Sequence, residues 1–145
     1  MNKQTLSRSL RSGLVLWVGL SVIFVLGNES GGSENTVSVF PTLLSPVFLL
    51  VFLFVVIRSE YLRGEKGYRA LVNSASHVVG FAALMSIPVH WVYSYQYFDE
   101  RSSGLAWSGA LMSFVWTWVV GYAFCFLVAW FVIKRSSSER MNHAG

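Results

Sequence analysis

Positively charged side chains are confined to one side of four uncharged apolar segments, and this partition constrains the fold more than any other feature. Ten of the eleven Lys and Arg residues lie before the first segment, between the second and third, or after the fourth. They are Lys3, Arg8, Arg11, Arg58, Arg63, Lys66, Arg69, Lys134, Arg135 and Arg140. Because short cytoplasmic loops are enriched in Lys and Arg, the pattern predicts an all-α integral membrane four-helix bundle. Its topology is expected to be up-down-up-down, with both termini cytoplasmic.

The chain is expected to form a single transmembrane domain, residues 1–145. The four spans are predicted at approximately residues 10–27, 40–57, 71–93 and 105–133. The first extends beyond its uncharged segment and includes Arg11, whose long side chain can reach the head groups. Only 12% of the residues are charged, about half the fraction of roughly 25% that is typical of soluble domains. The longest cytoplasmic loop is predicted at residues 58–69, where Gly64 and Gly67 oppose a continuous helix. We expect a bacterial inner (plasma) membrane protein that crosses the bilayer four times.

The first segment also fits a second interpretation. A basic start followed by a short apolar stretch is typical of a secretory signal peptide. No Ala-x-Ala cleavage site follows the stretch, so we expect it to be retained as a span.

The sharpest pattern is a row of small residues at four-residue spacing in the fourth segment. This small-residue row consists of Gly109, Ser113, Thr117, Gly121, Cys125 and Ala129. Residues four apart lie above one another on a helix, so the row forms a shallow groove. In lipid, small residues let two helix backbones approach closely. The row therefore predicts a helix-packing interface, filled either by another helix of the same chain or by a second molecule.

A second candidate surface is the polar face of the third segment. It consists of Asn73, Ser76, His77, Gly80 and His90, with Ala83 between the last two. These residues fall within an arc of about 140° on a helix. Polar residues inside spans usually face the bundle interior or a water-filled cavity, and they are candidates for function. The two histidines are about 20 Å apart along the axis, so we expect each to form its own hydrogen bonds near one end of the span.

Residue types that carry catalysis or bind cofactors are sparse in the predicted spans. A bis-histidine haem needs two histidines at one depth on facing helices, whereas His77 and His90 share one helix and differ in depth. No Asp, Glu or Lys lies inside a predicted span, which disfavours an ion-coupled transporter. No nucleophile has a base beside it, and no phosphate-binding loop or Cys/His cluster is present. We predict no enzyme activity, no cofactor and no metal, with a haem or quinone anchor subunit as the weakest alternative.

These patterns predict a function that depends on contact within the membrane. The basic residues are spread over three short pieces, so we expect the partners to be the lipid bilayer and another membrane protein or a second copy, and not nucleic acid. The leading hypothesis is a non-enzymatic accessory subunit that acts through intramembrane helix packing. The alternative is a homo-oligomeric pore or membrane-disrupting effector, in which the polar face of the third helix lines the conduit.

Overall fold

The described backbone is helical almost throughout. The computed structural model describes the backbone of residues 3–29, 39–97 and 103–142 and the side chains of residues 6–26, 44–92 and 111–137. The helices are α1 (Lys3–Glu29), α2 (Val39–Leu62), α3 (Tyr68–Tyr97) and α4 (Ser103–Asn142). Each is long and apolar enough to cross a membrane. The predicted all-α class, with four helices long and apolar enough to span a membrane, is thus confirmed.

The connection between α2 and α3 is shorter than the sequence analysis predicts. The predicted interruption of the helix at Gly64 and Gly67 is confirmed. Helix α2 continues through Leu62, so the loop is residues 63–67 and the predicted bounds of 58–69 are too wide. The reason is local: Arg, Glu and Leu, which occur in residues 58–62, are good helix formers whether or not they are apolar. Hydropathy marks where the apolar stretch stops, and the helix stops later.

Helix α2 ends at Leu62, and Gly64 in the turn that follows adopts a φ of 107°. The amide of Glu65 donates to the carbonyl of Glu60 at 3.2 Å, and that of Gly64 donates to the carbonyl of Tyr61 at 3.1 Å. This pair of hydrogen bonds is the Schellman motif, which favours glycine at the left-handed position. The motif satisfies two terminal carbonyls of α2 and turns the chain sharply into α3.

Helix α3 lies at the centre of the bundle. It packs most extensively against α4 and then against α1, and α2 packs against both α4 and α1. Half of the Tyr68–Val92 span is buried within the protein, compared with 17% of Leu6–Leu26. The largest fully buried side chains are Leu16, Leu53, Ile57, Leu71, Val78, Val79 and Cys125. All four helices therefore contribute to one core, and α3 is the helix with the least surface left for lipid.

Two glycines bring α1 close to its neighbours. A Cβ atom on Gly13 would lie 2.8 Å from Cδ1 of Phe81 and 3.1 Å from the carbonyl oxygen of Val78. A Cβ atom on Gly19 would overlap the ring of Phe48 on α2. Close approach through small residues is the usual means of helix association in lipid, and α1 uses it on two sides.

Candidate functional site

The later half of the small-residue row, from Gly121 to Ala129, packs against other helices of the same chain. A Cβ atom on Gly121 would lie 2.6 Å from Cγ1 of Val79 on α3 and 3.5 Å from Cδ2 of Leu49 on α2. Cys125 and Ala129 are completely buried. Of the two alternatives left open by the sequence, the structure places a helix of the same chain in this part of the groove.

The remaining members of the row lie nearer the start of α4. Ser113 and Thr117 are half-buried. Gly109 belongs to the helix but lies outside the residues whose side chains the structure describes.

Ser113 connects the row to His90 on α3. The Ser113 Oγ atom lies 2.9 Å from Nε2 of His90, and Nδ1 of the same ring lies 2.9 Å from the carbonyl oxygen of Ser86. A carbonyl only accepts, so Nδ1 carries the proton, and in a neutral ring Nε2 accepts from the Ser113 hydroxyl. The ring of Phe24 on α1 lies 4.0 Å from the His90 ring, centroid to centroid. His90 is therefore a polar contact inside the bundle, where three helices meet.

Replacing Ser113 with alanine is expected to lower the free energy of unfolding by about 0.6 kcal/mol, the average value of an interhelical hydrogen bond in a membrane protein. The Nε2 atom of His90 then loses its described partner. The measurement is equilibrium unfolding in detergent, with Ser137→Ala as the control, since the Ser137 hydroxyl donates to the carbonyl of Ile133 in its own helix. Equal effects of the two substitutions would contradict a role for Ser113 in joining α3 to α4.

The structure divides the predicted polar face of α3 into two halves. Ala83 is fully buried, and His90 turns inward as described. Asn73 and His77, in contrast, are exposed on the outside of the bundle. Among the described residues, no atom of another helix lies within 4 Å of a Cβ built on Gly80. We call Asn73, His77 and Gly80 the outer polar strip.

Hydrogen bonds within α3 use some of the polar atoms of the strip. The Ser76 hydroxyl donates to the carbonyl of Asn73 at 2.9 Å. Nδ1 of His77 lies 2.5 Å from the same oxygen. The second nitrogen of His77 and the Asn73 carboxamide remain at an exposed surface. A polar surface of this kind is expensive to leave against hydrocarbon.

A buried carboxylate, which the sequence analysis did not predict, lies near the end of α2. Glu60 is 7% exposed. Its Oε1 atom lies 2.8 Å from Nη1 of Arg63 and 3.9 Å from Nη1 of Arg8 on α1. The available signal was the three-residue spacing of Glu60 and Arg63, which places opposite charges on one face only if the helix continues. Because a loop was predicted at this position, the pairing of Glu60 with Arg63 was not predicted.

An open pocket of about 530 Å³ lies between α3 and α4, close to the α2–α3 connection. We call it the α3–α4 pocket. It is lined by Tyr68, Arg69, Ala70, Val72, Asn73, Ser76, Tyr122 and Phe126. The Tyr68 hydroxyl donates to the carbonyl of Phe126 at 3.4 Å, and the two rings lie 6.3 Å apart. One wall is therefore polar and basic, and the other is aromatic.

The aromatic wall of the pocket continues along α4. Trp118 lies 6.3 Å from Tyr122, and Tyr122 lies 5.0 Å from Phe126 in an edge-on arrangement, measured between ring centroids. All three rings are exposed. Together they form an aromatic row that extends from the pocket along the outer surface of the bundle.

Within the described residues, no group of three or more His, Cys, Asp and Glu side chains is placed to hold a metal ion. No protein-family model, curated protein or solved structure matches the chain. The function proposed below comes from the contacts of the chain itself.

Proposed function

We propose that the chain is a non-enzymatic accessory subunit of the bacterial inner membrane, which associates with a second copy or another membrane protein through α3. The observation that carries this proposal is the outer polar strip. Asn73 and His77 are exposed within a helix that spans the membrane, and the open space at Gly80 lets a neighbouring backbone approach. Polar groups and a small residue on one outer face are typical of a transmembrane helix contact.

The sequence predicted two contact surfaces, the small-residue row of α4 and the polar face of α3, and the contact proposed here uses the second. The small-residue row of α4 is used inside the bundle at Gly121, Cys125 and Ala129. It therefore offers little to a second molecule along that stretch. The outer polar strip of α3 is the surface that remains, and it lies beside the exposed aromatic row of α4.

We further propose the up-down-up-down topology with both termini cytoplasmic. Arg8 of α1 contacts Glu60 of α2, whereas Gly19, later in α1, approaches Phe48, earlier in α2. The two helices thus meet in opposite order, as neighbours in such a topology do. The basic residues of α1, of the α2–α3 connection and of α4 then share one side, which the enrichment of Lys and Arg in cytoplasmic loops favours.

A pore lined by the third helix is the weaker proposal. The strip from Asn73 to Gly80 is about 10 Å long, whereas a conduit has to cross a hydrocarbon core of about 30 Å. Beyond Gly80 the same outer face continues with Leu84, which is 59% exposed, and then with Pro88. A ring built on this face has an apolar lumen over most of its length. Release of a small dye from liposomes that contain the purified protein would favour the pore.

The proposed contact predicts site-specific cross-linking in native membranes. A thiol-attached photocrosslinker is placed at Gly80→Cys, in a chain whose buried Cys125 is replaced by alanine. The matched control is Ala123→Cys on the exposed face of α4; because Gly121 packs against Val79, the two probes lie at similar depth. We expect a discrete protein adduct at Gly80→Cys only, at twice the mass of the chain for self-association or at another fixed mass for a different subunit. Lipid adducts alone at both positions would contradict the proposal.

A further inference from the structure

The α3–α4 pocket combines three properties that together identify a class of ligand. It is open on the outer surface of two membrane-spanning helices, so it is reached from the bilayer. Its volume of about 530 Å³ lies within the range of roughly 300 to 1,000 Å³ that is usual for small-molecule sites. Its lining changes from basic and polar on α3 to aromatic on α4. An occupant with a charged head and an apolar body fits this lining.

Charge decides the sign of the head. Residues 58–69 contain the four basic side chains Arg58, Arg63, Lys66 and Arg69 and the two acidic side chains Glu60 and Glu65. Glu60 is engaged by Arg63 at 2.8 Å, which removes one charge of each sign. The pocket mouth at Arg69 is thus left in a basic environment, and Arg69 is exposed. No carboxylate of the described residues lies within ion-pair distance of Arg69.

Depth along the helices decides where the apolar body lies. Arg69 belongs to the first turn of α3, and Asn73 and Ser76 follow one and two turns further along the span. On the facing helix, the aromatic row continues past the pocket from Phe126 through Tyr122 to Trp118. A head group bound at Arg69, with a hydrogen bond from the Asn73 carboxamide, would lay its hydrocarbon chain against this row.

We propose that the α3–α4 pocket binds the head group of an anionic phospholipid from the leaflet on the side of the α2–α3 connection. The phosphate lies at Arg69, and the acyl chain follows the aromatic row. Basic pockets between transmembrane helices on the cytoplasmic side are known to hold anionic lipid head groups, and planar guanidinium pairs with phosphate through two parallel hydrogen bonds. The Tyr68 hydroxyl contacts the Phe126 carbonyl and so joins the two walls of the pocket. This site shares Asn73 with the outer polar strip, but lipid binding does not require the proposed contact with a second membrane protein.

The test is native mass spectrometry of the purified full chain with phosphatidylglycerol and with phosphatidylcholine as probes. We expect phosphatidylglycerol to bind more tightly than phosphatidylcholine. Arg69→Gln should weaken phosphatidylglycerol binding about fivefold, the factor expected for one basic residue near an anionic surface. Arg58→Gln is the matched control, since it removes the same charge from α2, outside the pocket, and should change binding less than twofold.

A second substitution tests the aromatic wall. Tyr122→Ala should weaken the binding of phosphatidylglycerol, whereas Trp130→Ala should not, because Trp130 is exposed on the same helix but does not line the pocket. Helix content from circular dichroism identifies any variant that fails to fold, and Arg69→Gln, at an exposed position, is expected to retain it. Equal losses for Arg69→Gln and Arg58→Gln would overturn the proposal in favour of diffuse attraction to the basic end. Displacement of the lipid by inorganic phosphate at equal concentration would overturn it in favour of a site for free phosphate.

The two proposals fail separately. Loss of the Gly80→Cys adduct with intact lipid preference removes the contact surface and leaves the lipid site. Loss of lipid preference with an intact adduct does the reverse.

Discussion

Replacing Gly121 with leucine is expected to lower the free energy of unfolding by about 3 kcal/mol, the upper end of the penalty for overpacking a core. A Cβ atom added at this position would lie 2.6 Å from Cγ1 of Val79 and 3.2 Å from Cγ2. Three further carbon atoms have no space unless α4 moves away from α3. That movement would also strain the hydrogen bond between Ser113 and His90.

The matched control for this substitution is Ala123→Leu, two residues further along α4 and exposed. We expect it to change the free energy of unfolding by no more than about 0.5 kcal/mol, as for surface positions in general. The measurement is the loss of helical circular dichroism during titration of the detergent-solubilised protein with a denaturing detergent. If the two variants unfold at the same midpoint, Gly121 does not face Val79, and the assignment of the small-residue row to the interior is wrong.

Replacing Arg63 with glutamine is expected to lower the free energy of unfolding by about 1 to 2 kcal/mol. Breaking a fully buried ion pair costs about 3 to 5 kcal/mol because it leaves a charge without compensation. Arg63 is 52% exposed on its side chain, so solvent screening reduces that figure. The remaining effect arises from Glu60, whose side chain is 9% exposed and, among the described residues, keeps Arg8 at 3.9 Å as its ion-pair partner.

The double variant Arg63→Gln, Glu60→Gln separates the ion pair from the packing of the side chains. Without the carboxylate no buried charge remains, so we expect the double variant to recover more than half of the loss. Arg58→Gln serves as the single-charge control. All variants are compared in the same detergent titration at low salt. If the loss of unfolding free energy in the double variant equals the sum of the losses in Arg63→Gln and in Glu60→Gln alone, Glu60 and Arg63 do not interact.

The existence of four spans was predictable because hydropathy and the distribution of basic residues are properties of whole segments. The ends of the helices were less predictable. Helix α2 passes Ile57, where the continuous apolar stretch stops, and continues to Leu62. Gly64 then adopts a backbone conformation that helices do not contain. A loop prediction that reads polarity as a helix end therefore misses Glu60 and its arginine partners.

The sequence predicted which residues share one face of a helix, but it did not predict the direction in which that face points. Helical periodicity correctly groups Asn73, His77 and Gly80 on one face, because their angular separation is fixed by the helix itself. Periodicity does not say which way that face points. The direction depends on how Val79 meets Gly121 and how His90 meets Ser113, and these contacts join residues far apart in the sequence. The α3–α4 pocket needs two helices at once, so no single segment indicates it.

The length of α4 has a consequence on the water side of the membrane. Its 40 residues extend about 60 Å, and a core of about 30 Å cannot contain them even at the largest usual tilt of about 40°. Trp130, whose ring lies 4.8 Å from Nζ of Lys134, sets the level at which the helix leaves the lipid, since both residue types favour that boundary. Beyond Lys134 the helix continues to Asn142 as a stiff rod, about 12 Å tall. A protein that binds the side of the bundle within the bilayer also comes close to this extension of α4. The aqueous part of such a protein therefore must not overlap the extension.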